Sequence, residues 1–255
     1  MKKQDKRRVH GIKASALLIL ALFVSLTRAY GANEWDIKIT VPTDTITVAN
    51  AVPITLTVNG FEDDSITDVK LNVDSNPENF QEAITVKFTY PQARLLFSTR
   101  LRLASTGNNT ISALVRLKSG RMVKKTIQTG NIVKPVNFTD RDSLSAIMLG
   151  GVSFPTNEIG QAVIYARAAK DGSQTYTVKG TLHHPMLPKM EGVKPNFVDN
   201  IDVLINEEKY ISIESTPVLS NDPFIWIDFT VQDQITNTKM IWRDSKGKTF
   251  EATAK

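Results

Sequence analysis

"TISALVRLKSGRMVKKTIQ", Thr110 to Gln128, decides the fold class. Ile111, Ala113, Val115 and Leu117 recur at every second position, and an extended chain turns alternate side chains to opposite faces. Those four therefore share one buried face. Lys118-Ser119-Gly120 supplies a turn, and a return strand begins at Met122, so the stretch reads as a β-hairpin. The same period runs upstream. "DIKITVP" (36–42) puts Ile37, Ile39 and Val41 together, and "PITLTVNG" (53–60) groups Ile54, Leu56 and Val58 before stopping at Asn59-Gly60. "FSTRLRL" (97–103) sets Phe97, Thr99, Leu101 and Leu103 against Ser98, Arg100 and Arg102. Short strands at this spacing, with almost no helical period, argue for an all-β sandwich.

From 132 to 160 the alternation dissolves. Pro135, Gly150, Gly151 and Pro155 punctuate the segment, and only "DRDSLSAIMLGG" (140–151) offers a helical turn, packed through Ile147, Met148 and Leu149. A connection this long marks a domain boundary rather than an internal loop. A second strand-rich segment follows. "TYTVKGTLHHP" (175–185) alternates Tyr176, Val178, Leu182 and His184 with Thr175, Thr177, Lys179 and His183. "NIDVLINEEKYISIE" (200–214) is a hairpin turning at Asn206-Glu207, "PFIWIDFTV" (223–231) is a strand, and "TKMIWRDSKGKTFEA" (238–252) is a closing hairpin. Trp226 and Trp242 fall on what read as neighbouring strands, in the core or at the contact between domains. "IGQAVIYARAAKDG" (159–172) suits a helix or a strand by composition alone.

The leader has a different character. Basic residues from Lys2 to Lys13 precede an uncharged apolar run, "ASALLILALFVSL" (14–26), and then "AYGA" (29–32). That order is a secretory signal peptide cleaved near Gly31/Ala32. Thirteen apolar residues fall short of the roughly 20 needed to span a bilayer, so no stable membrane insertion is expected after cleavage. The Arg7-Arg8 pair leaves twin-arginine and Sec export both open. Residues 1–31 hold seven of the 31 Lys/Arg and one of the 26 Asp/Glu, leaving 24 basic against 25 acidic residues, a net charge of −1. The sequence pI of 9.3 thus belongs to the leader, and net charge gives no support to nucleic-acid or anionic-membrane binding.

Cysteine is absent from all 255 residues. Thiol catalysis, thioesters and thiolate metal sites are excluded, and stability must come from buried cores. After leader removal only His183 and His184 remain as histidines. On an extended strand they point to opposite faces and cannot easily share a metal. Asp63, Asp64, Glu78 and Glu82 are too sparse for a calcium cage. No phosphate loop, nucleophile elbow or paired-carboxylate motif is present, so neither a cofactor nor a metal nor an activity of its own is expected.

The segment "YARAAKDG…YTVKGTLHHPM…NFVDNIDVLINEEKYISIESTPVLSNDPFIWIDFTV…MIWRDSKGKTFEA" resembles SoxZ, the sandwich subunit of the thiosulfate-oxidation carrier. Its most specific pieces are His184-Pro185-Met186, the hairpin at Asn206, and Asn221 and Pro223 before the aromatic strand. The resemblance turns the Ala-rich stretch into a strand at Val163–Ala166. "IKITVPTDTITVANAVPITLTVNG", "DSNPENF", "FSTRLRLASTGNNTISALVRLKSGRMV" and "KKTIQTG" are similar to SoxY, the partner subunit. The chain therefore resembles a SoxY–SoxZ fusion of the type associated with quinoprotein dehydrogenases. The implied architecture is two immunoglobulin-like β-sandwiches in tandem, packed against each other. A signal peptide occupies 1–31, the SoxY-like sandwich 32–131, the connection 132–160 and the SoxZ-like sandwich 161–255.

In SoxY a Gly-Gly-Cys-Gly-Gly arm follows the last strand, and its thiol carries the sulfur substrate. Here "RMVKKTIQTGNIVKP" (121–135) reads as a last strand running into a tail, with Gln128-Thr129-Gly130-Asn131 at the arm position and no sulfur nucleophile. Covalent sulfur carriage needs that sulfur. The implied function is then a non-enzymatic periplasmic carrier-like adaptor for a redox enzyme, a PQQ-dependent dehydrogenase being the partner that the resemblance implies. The expected contact residues are His184, the Gln128–Asn131 segment, and Arg100 with Arg102. His184 alternatively reads as a core or interface histidine, and the two arginines as a solvated strand face. The rival functions are a noncovalent small-ligand module with a pocket between the domains near His184, and an Ig-like structural or adhesion protein.

Overall fold

The alternation in the sequence becomes alternation in burial. In the computed structural model, which describes residues 36–254 apart from 48, 61–63, 140–159, 170–173, 193 and 233, Ile54, Leu56 and Val58 are fully buried while Pro53 and Asn59 face solvent. The first half comprises β1 (Asp36–Thr40), β2 (Val52–Asn59), β3 (Ile66–Val73), β4 (Glu82–Gln92), β5 (Arg94–Leu101), β6 (Gly107–Leu117) and β7 (Met122–Ile132), with one 3-10 turn at Glu78–Phe80. The second comprises β8 (Ala162–Ala168), β9 (Thr175–Leu182), β10 (Val198–Ile205), β11 (Glu208–Ser215), β12 (Phe224–Thr230), β13 (Thr238–Asp244) and β14 (Thr249–Thr253). The ambiguous Ala-rich stretch is strand β8. Asn206 and Glu207, at φ 52° and 66°, form the two-residue left-handed turn whose twist matches a hairpin.

The halves do more than pack. One sheet runs β1-β2-β5-β12-β9-β8 and the other β14-β13-β10-β11-β4-β3-β6-β7, so each sheet passes through both halves. Antiparallel pairing of β5 with β12 (Ser98 to Trp226, Phe97 to Ile227) joins the first sheet. Pairing of β4 with β11 (Val86 to Ile213, Phe88 to Ile211) joins the second. The edges at β4, β5, β11 and β12 are thereby paired, leaving β1, β8, β14 and β7 at the ends of the sheets. One hydrophobic cluster spans the joint, with Val86, Phe97, Ile213 and Ile227 all fully buried.

Three sequence expectations need correction or placing. Trp242 lies on β13 and is fully buried, whereas Trp226 lies half-buried on β12 in the opposite sheet, so the two are not on neighbouring strands. Residues 132–139 do not begin a loose connection: Val136 N–H donates to Leu103 O (2.8 Å), and Phe138 stacks on Phe80 with ring centroids 4.2 Å apart. The signal peptide, Asp63 and the helical turn at 140–151 lie outside the described residues. Among the described residues no helix is long and apolar enough to cross a membrane.

Candidate functional site

At the arm position the chain is still a strand. Gln128 pairs with Thr110 and Asn131 with Asn108 on β6, and residues 42–46 cover the other side. Gly130 N–H donates to Pro42 O (2.8 Å), Ile46 N–H to Asn131 O (2.8 Å) and Val133 N–H to Ile46 O (3.0 Å). Thr129 is buried, its hydroxyl accepting from Asn109 N–H (3.0 Å) and donating to Gly130 O (2.9 Å). Gly130 is there because nothing larger fits: a Cβ would stand 2.0 Å from Asp44 O and 2.6 Å from Thr43 O. Where the sequence reads as a strand running out into a tail, the structure has a strand held on both sides. Only the Gln128 and Asn131 side chains reach solvent.

Arg100 and Arg102 separate. Arg100 is exposed, with its guanidinium 5.4 Å from the Phe224 ring centroid. Arg102 is 1% exposed, against the reading of a solvated strand face. Its Nη1 donates to Met186 O (2.6 Å) and Pro217 O (2.7 Å), and its Nη2 to the Asn221 side-chain oxygen, with a longer contact to Pro185 O. Every one of these acceptors belongs to the second half. The main chain joins in: Arg102 N–H donates to Val218 O (2.7 Å) and Ser220 N–H to Arg100 O (3.0 Å). Asn76 closes the near side, donating to Arg102 O (3.2 Å) and accepting from Ala104 N–H (2.7 Å). Burial pulls the Arg102 pKa down to about 9, which leaves it protonated at neutral pH. A planar cation with five N–H donors can satisfy carbonyls that converge from several directions. This is a rivet between the halves, with no carboxylate paired to it among the described residues.

The His-Pro-Met segment is the other side of that rivet. Met186 adopts φ 48° and Asp222 φ 51°, left-handed conformations that a non-glycine residue holds only when its surroundings fix them. His184 N–H donates to Asp222 Oδ1 (3.1 Å) and Asp222 N–H returns to His184 O (3.0 Å). His183 Nδ1 lies 3.0 Å from Asp222 Oδ1. Burial raises the Asp222 pKa, against the opposing pull of the His184 amide and His183. The His184 ring turns inward, edge-on to Phe250, with Nε2 3.6 Å from Asp244 Oδ2. That separation is too long for a hydrogen bond. The two histidines diverge, and His184 is a core histidine at the joint. Among the described residues His184 lines none of the four best-formed clefts. A cleft that straddles the halves holds about 240 Å³ and is lined by Thr57, Asn59, Arg94, Leu96, Thr175 and Asp228.

Burial lowers the His184 pKa from 6.5 to about 4, outweighing attraction to Asp244. Unfolded, the ring takes up a proton below pH 6.5; folded, it resists until about 4. Stability is therefore complete above pH 6.5 and declines as pH falls toward 4, by up to about 3 kcal/mol. Urea midpoints at pH 7 and pH 4.5 should show the drop, and a His184→Gln variant should flatten it. An equally steep decline in that variant would assign the loss to other groups.

Sequence reasoning missed Pro217 and the role of Asn221, although Asn221 and His184-Pro185-Met186 stand among the most distinctive residues of the second half. Among the described residues no group of three His, Asp or Glu side chains comes together as a metal site. Asp64 uses its carboxylate on the Ser65 amide (2.8 Å) and the Ser119 hydroxyl (2.6 Å).

Comparison with known proteins adds family to geometry. Residues 25–129 match the family model of the sulfur oxidation protein SoxY, and residues 164–255 that of the sulphur oxidation protein SoxZ. No curated protein matches the chain. Among solved structures, the fibronectin(III)-like modules of Clostridium thermocellum CbhA share 9% identity over 85% of this chain and 92% of theirs, at a TM-score of 0.26. A calcium-stabilised adhesin with which an Antarctic bacterium binds ice shares 15% identity over 86% of this chain and 48% of its own, at 0.23. Scores this low carry no argument.

Proposed function

Because the chain belongs to the SoxY–SoxZ fusion-like proteins, which are sulfur-oxidation carrier-like, we propose that it is a periplasmic adaptor that binds a redox enzyme without carrying sulfur covalently. One observation supports the reading above the rest: the frame that pairs the halves is complete, while the arm position is a cysteine-free strand clamped on both sides. A body kept in this form without its thiol can still offer a rigid, shaped surface. The partner proposed is a PQQ-dependent quinoprotein dehydrogenase, and the chain is exported with its signal peptide cleaved near Gly31/Ala32. The chain itself performs no chemistry in this reading; it lacks the residue on which its family's cargo is held.

Affinity capture from a periplasmic extract of the source cells, using the mature chain as bait, tests the proposal. Recovery of a quinoprotein dehydrogenase, with loss of its activity in a strain lacking the adaptor, is the expected result. Recovery of no redox enzyme sinks it. The noncovalent-ligand alternative makes a separate prediction: a small molecule seated in the 240 Å³ cleft would raise the melting temperature, and Arg94→Ala would remove the rise.

A further inference from the structure

The outward face of the six-stranded sheet is unlike the rest of the surface. Strand pairing aligns Trp226 on β12 with Lys179 on β9 and Tyr165 on β8, all on the side away from the core. Lys179 Nζ sits 3.6 Å from the Trp226 ring centroid, Arg167 lies 5.7 Å from that of Tyr165, and Arg100 of the first half 5.4 Å from that of Phe224. Cations and rings thus alternate from β5, across the joint, to the open edge at β8. Such contacts occur about once per 70–80 residues on average, so three on one face is a concentration. The opposite sheet's outer face is different. There Arg116 pairs with Asp68 and Lys87 with Glu214.

Among the described residues, Arg100, Lys179 and Arg167 have no carboxylate within ion-pair distance. The acidic residues nearest to this patch are already engaged. Asp228 accepts from Trp226 Nε1 (2.9 Å), and Asp222 is held by His183 and the His184 amide, with the Arg100 charge reaching it only beyond ion-pair distance. A ring beneath a cation orders its side chain and leaves its N–H donors pointing outward, which lowers the entropy lost on binding. Trp, Tyr and Arg are also the residues that dominate binding hot spots. Since Lys179 covers the Trp226 face, that ring is not open for sugar stacking. A net charge of −1 over 32–255 gives no field to hold a phosphate backbone.

We propose that this face is the docking surface for a partner protein that presents carboxylates interleaved with apolar side chains. The proposal rests on the adaptor reading and names the chemistry of that partner. It gives Arg100 the contact role, and it moves the contact from the arm position and His184 to the sheet.

The test uses the mature full chain and has two arms. In the first, a blocked octapeptide alternating Glu and Tyr is titrated into isotopically labelled protein at low salt. Amide shifts should cluster on β5, β12, β9 and β8, and combined Arg100→Glu, Lys179→Glu and Arg167→Glu changes should weaken binding at least tenfold. Arg167→Glu alone, at an exposed edge position, gives a smaller loss in a variant whose fold is least challenged. Shifts spread over the other sheet, equal binding of a Gln-for-Glu peptide, or tighter binding of a single-stranded oligonucleotide overturns the proposal. In the second arm a photo-crosslinking residue replaces Val163 (66% exposed) or, as control, the exposed Thr126 of β7, in extract of the source cells. The expected product joins position 163 to an acidic segment of a redox enzyme and disappears on charge reversal. A redox enzyme crosslinked from position 126 alone overturns the face and keeps the adaptor reading. Crosslinks from neither position overturn both.

Discussion

Arg102→Ala should lower unfolding stability by roughly 4 kcal/mol and loosen the two halves from each other. The truncation strands the buried oxygens of Met186, Pro217 and Asn221, each at a cost of about 1–3 kcal/mol, and opens a cavity the size of a long side chain. Relief from holding a desolvated cation offsets part of this, because burial already disfavours the charge. The stranded acceptors win, since among the described residues no other donor of the first half reaches them, and Met186 and Pro217 are buried. Against a domain stability of about 5–15 kcal/mol, the loss is large. Arg102→Lys keeps the charge but replaces a planar fork with a single point, and it should recover less than half of the deficit. The readouts are the urea midpoint and hydrogen exchange at the Arg102 and Ser220 amides, which bridge the halves. A midpoint for Arg102→Ala within error of the parent protein would show that the rivet is idle and that the shared sheets alone hold the joint.

The same residue shows where the sequence stops being legible. Alternation assigned Phe97, Thr99, Leu101 and Leu103 to one face of "FSTRLRL" and Arg102 to the other, and Phe97, Thr99 and Leu101 are buried with Arg100 exposed, although Ser98 is covered too. Then Leu101, Arg102 and Leu103 are all buried in succession. The reason lies far away in the chain: residues 216–220 close over the end of β5, with Leu219 bridging Leu101, so both faces of the strand are covered. No local pattern reports a neighbour from the other half. The hairpins, by contrast, were fully legible, because their pairing is set by turns a few residues long, as at Asn206-Glu207. The sharing of both sheets was not, since β4 meets β11 and β5 meets β12 across more than a hundred residues. Trp226 illustrates the same limit: it reads as core or domain contact yet lies half-buried on β12, and strand order alone reveals that it and Trp242 belong to different sheets. The family resemblance named the right subunits and, through them, a mobile arm that the backbone at Gln128–Asn131 does not provide.

Restoring a thiol at that position should separate the arm's chemistry from its mechanics. Gly130→Cys should cost about 3 kcal/mol or more, because its Cβ would meet the Asp44 and Thr43 carbonyls, which are backbone atoms that cannot rotate aside. Relief requires residues 42–46 to lift off β7, which surrenders the bonds from Gly130 N–H to Pro42 O and from Ile46 N–H to Asn131 O. Asn131→Cys, one residue on and exposed, should stay within about 0.5 kcal/mol of the parent and react fully with a soluble thiol reagent. Its sulfur would nonetheless be fixed to a strand paired with Asn108 on β6, so it could not extend into another protein's cleft. The expected result is a variant that accepts small reagents from solution but gains no sulfur adduct when mixed with thiosulfate and the oxidising Sox enzymes. An adduct formed under those conditions would mean that β7 peels away readily at its end, and hydrogen exchange at Gly130 and Ile46 would then have to be fast. Slow exchange at both amides, alongside a reactive but unloaded thiol, would place the loss of carriage in the strand as well as in the missing cysteine.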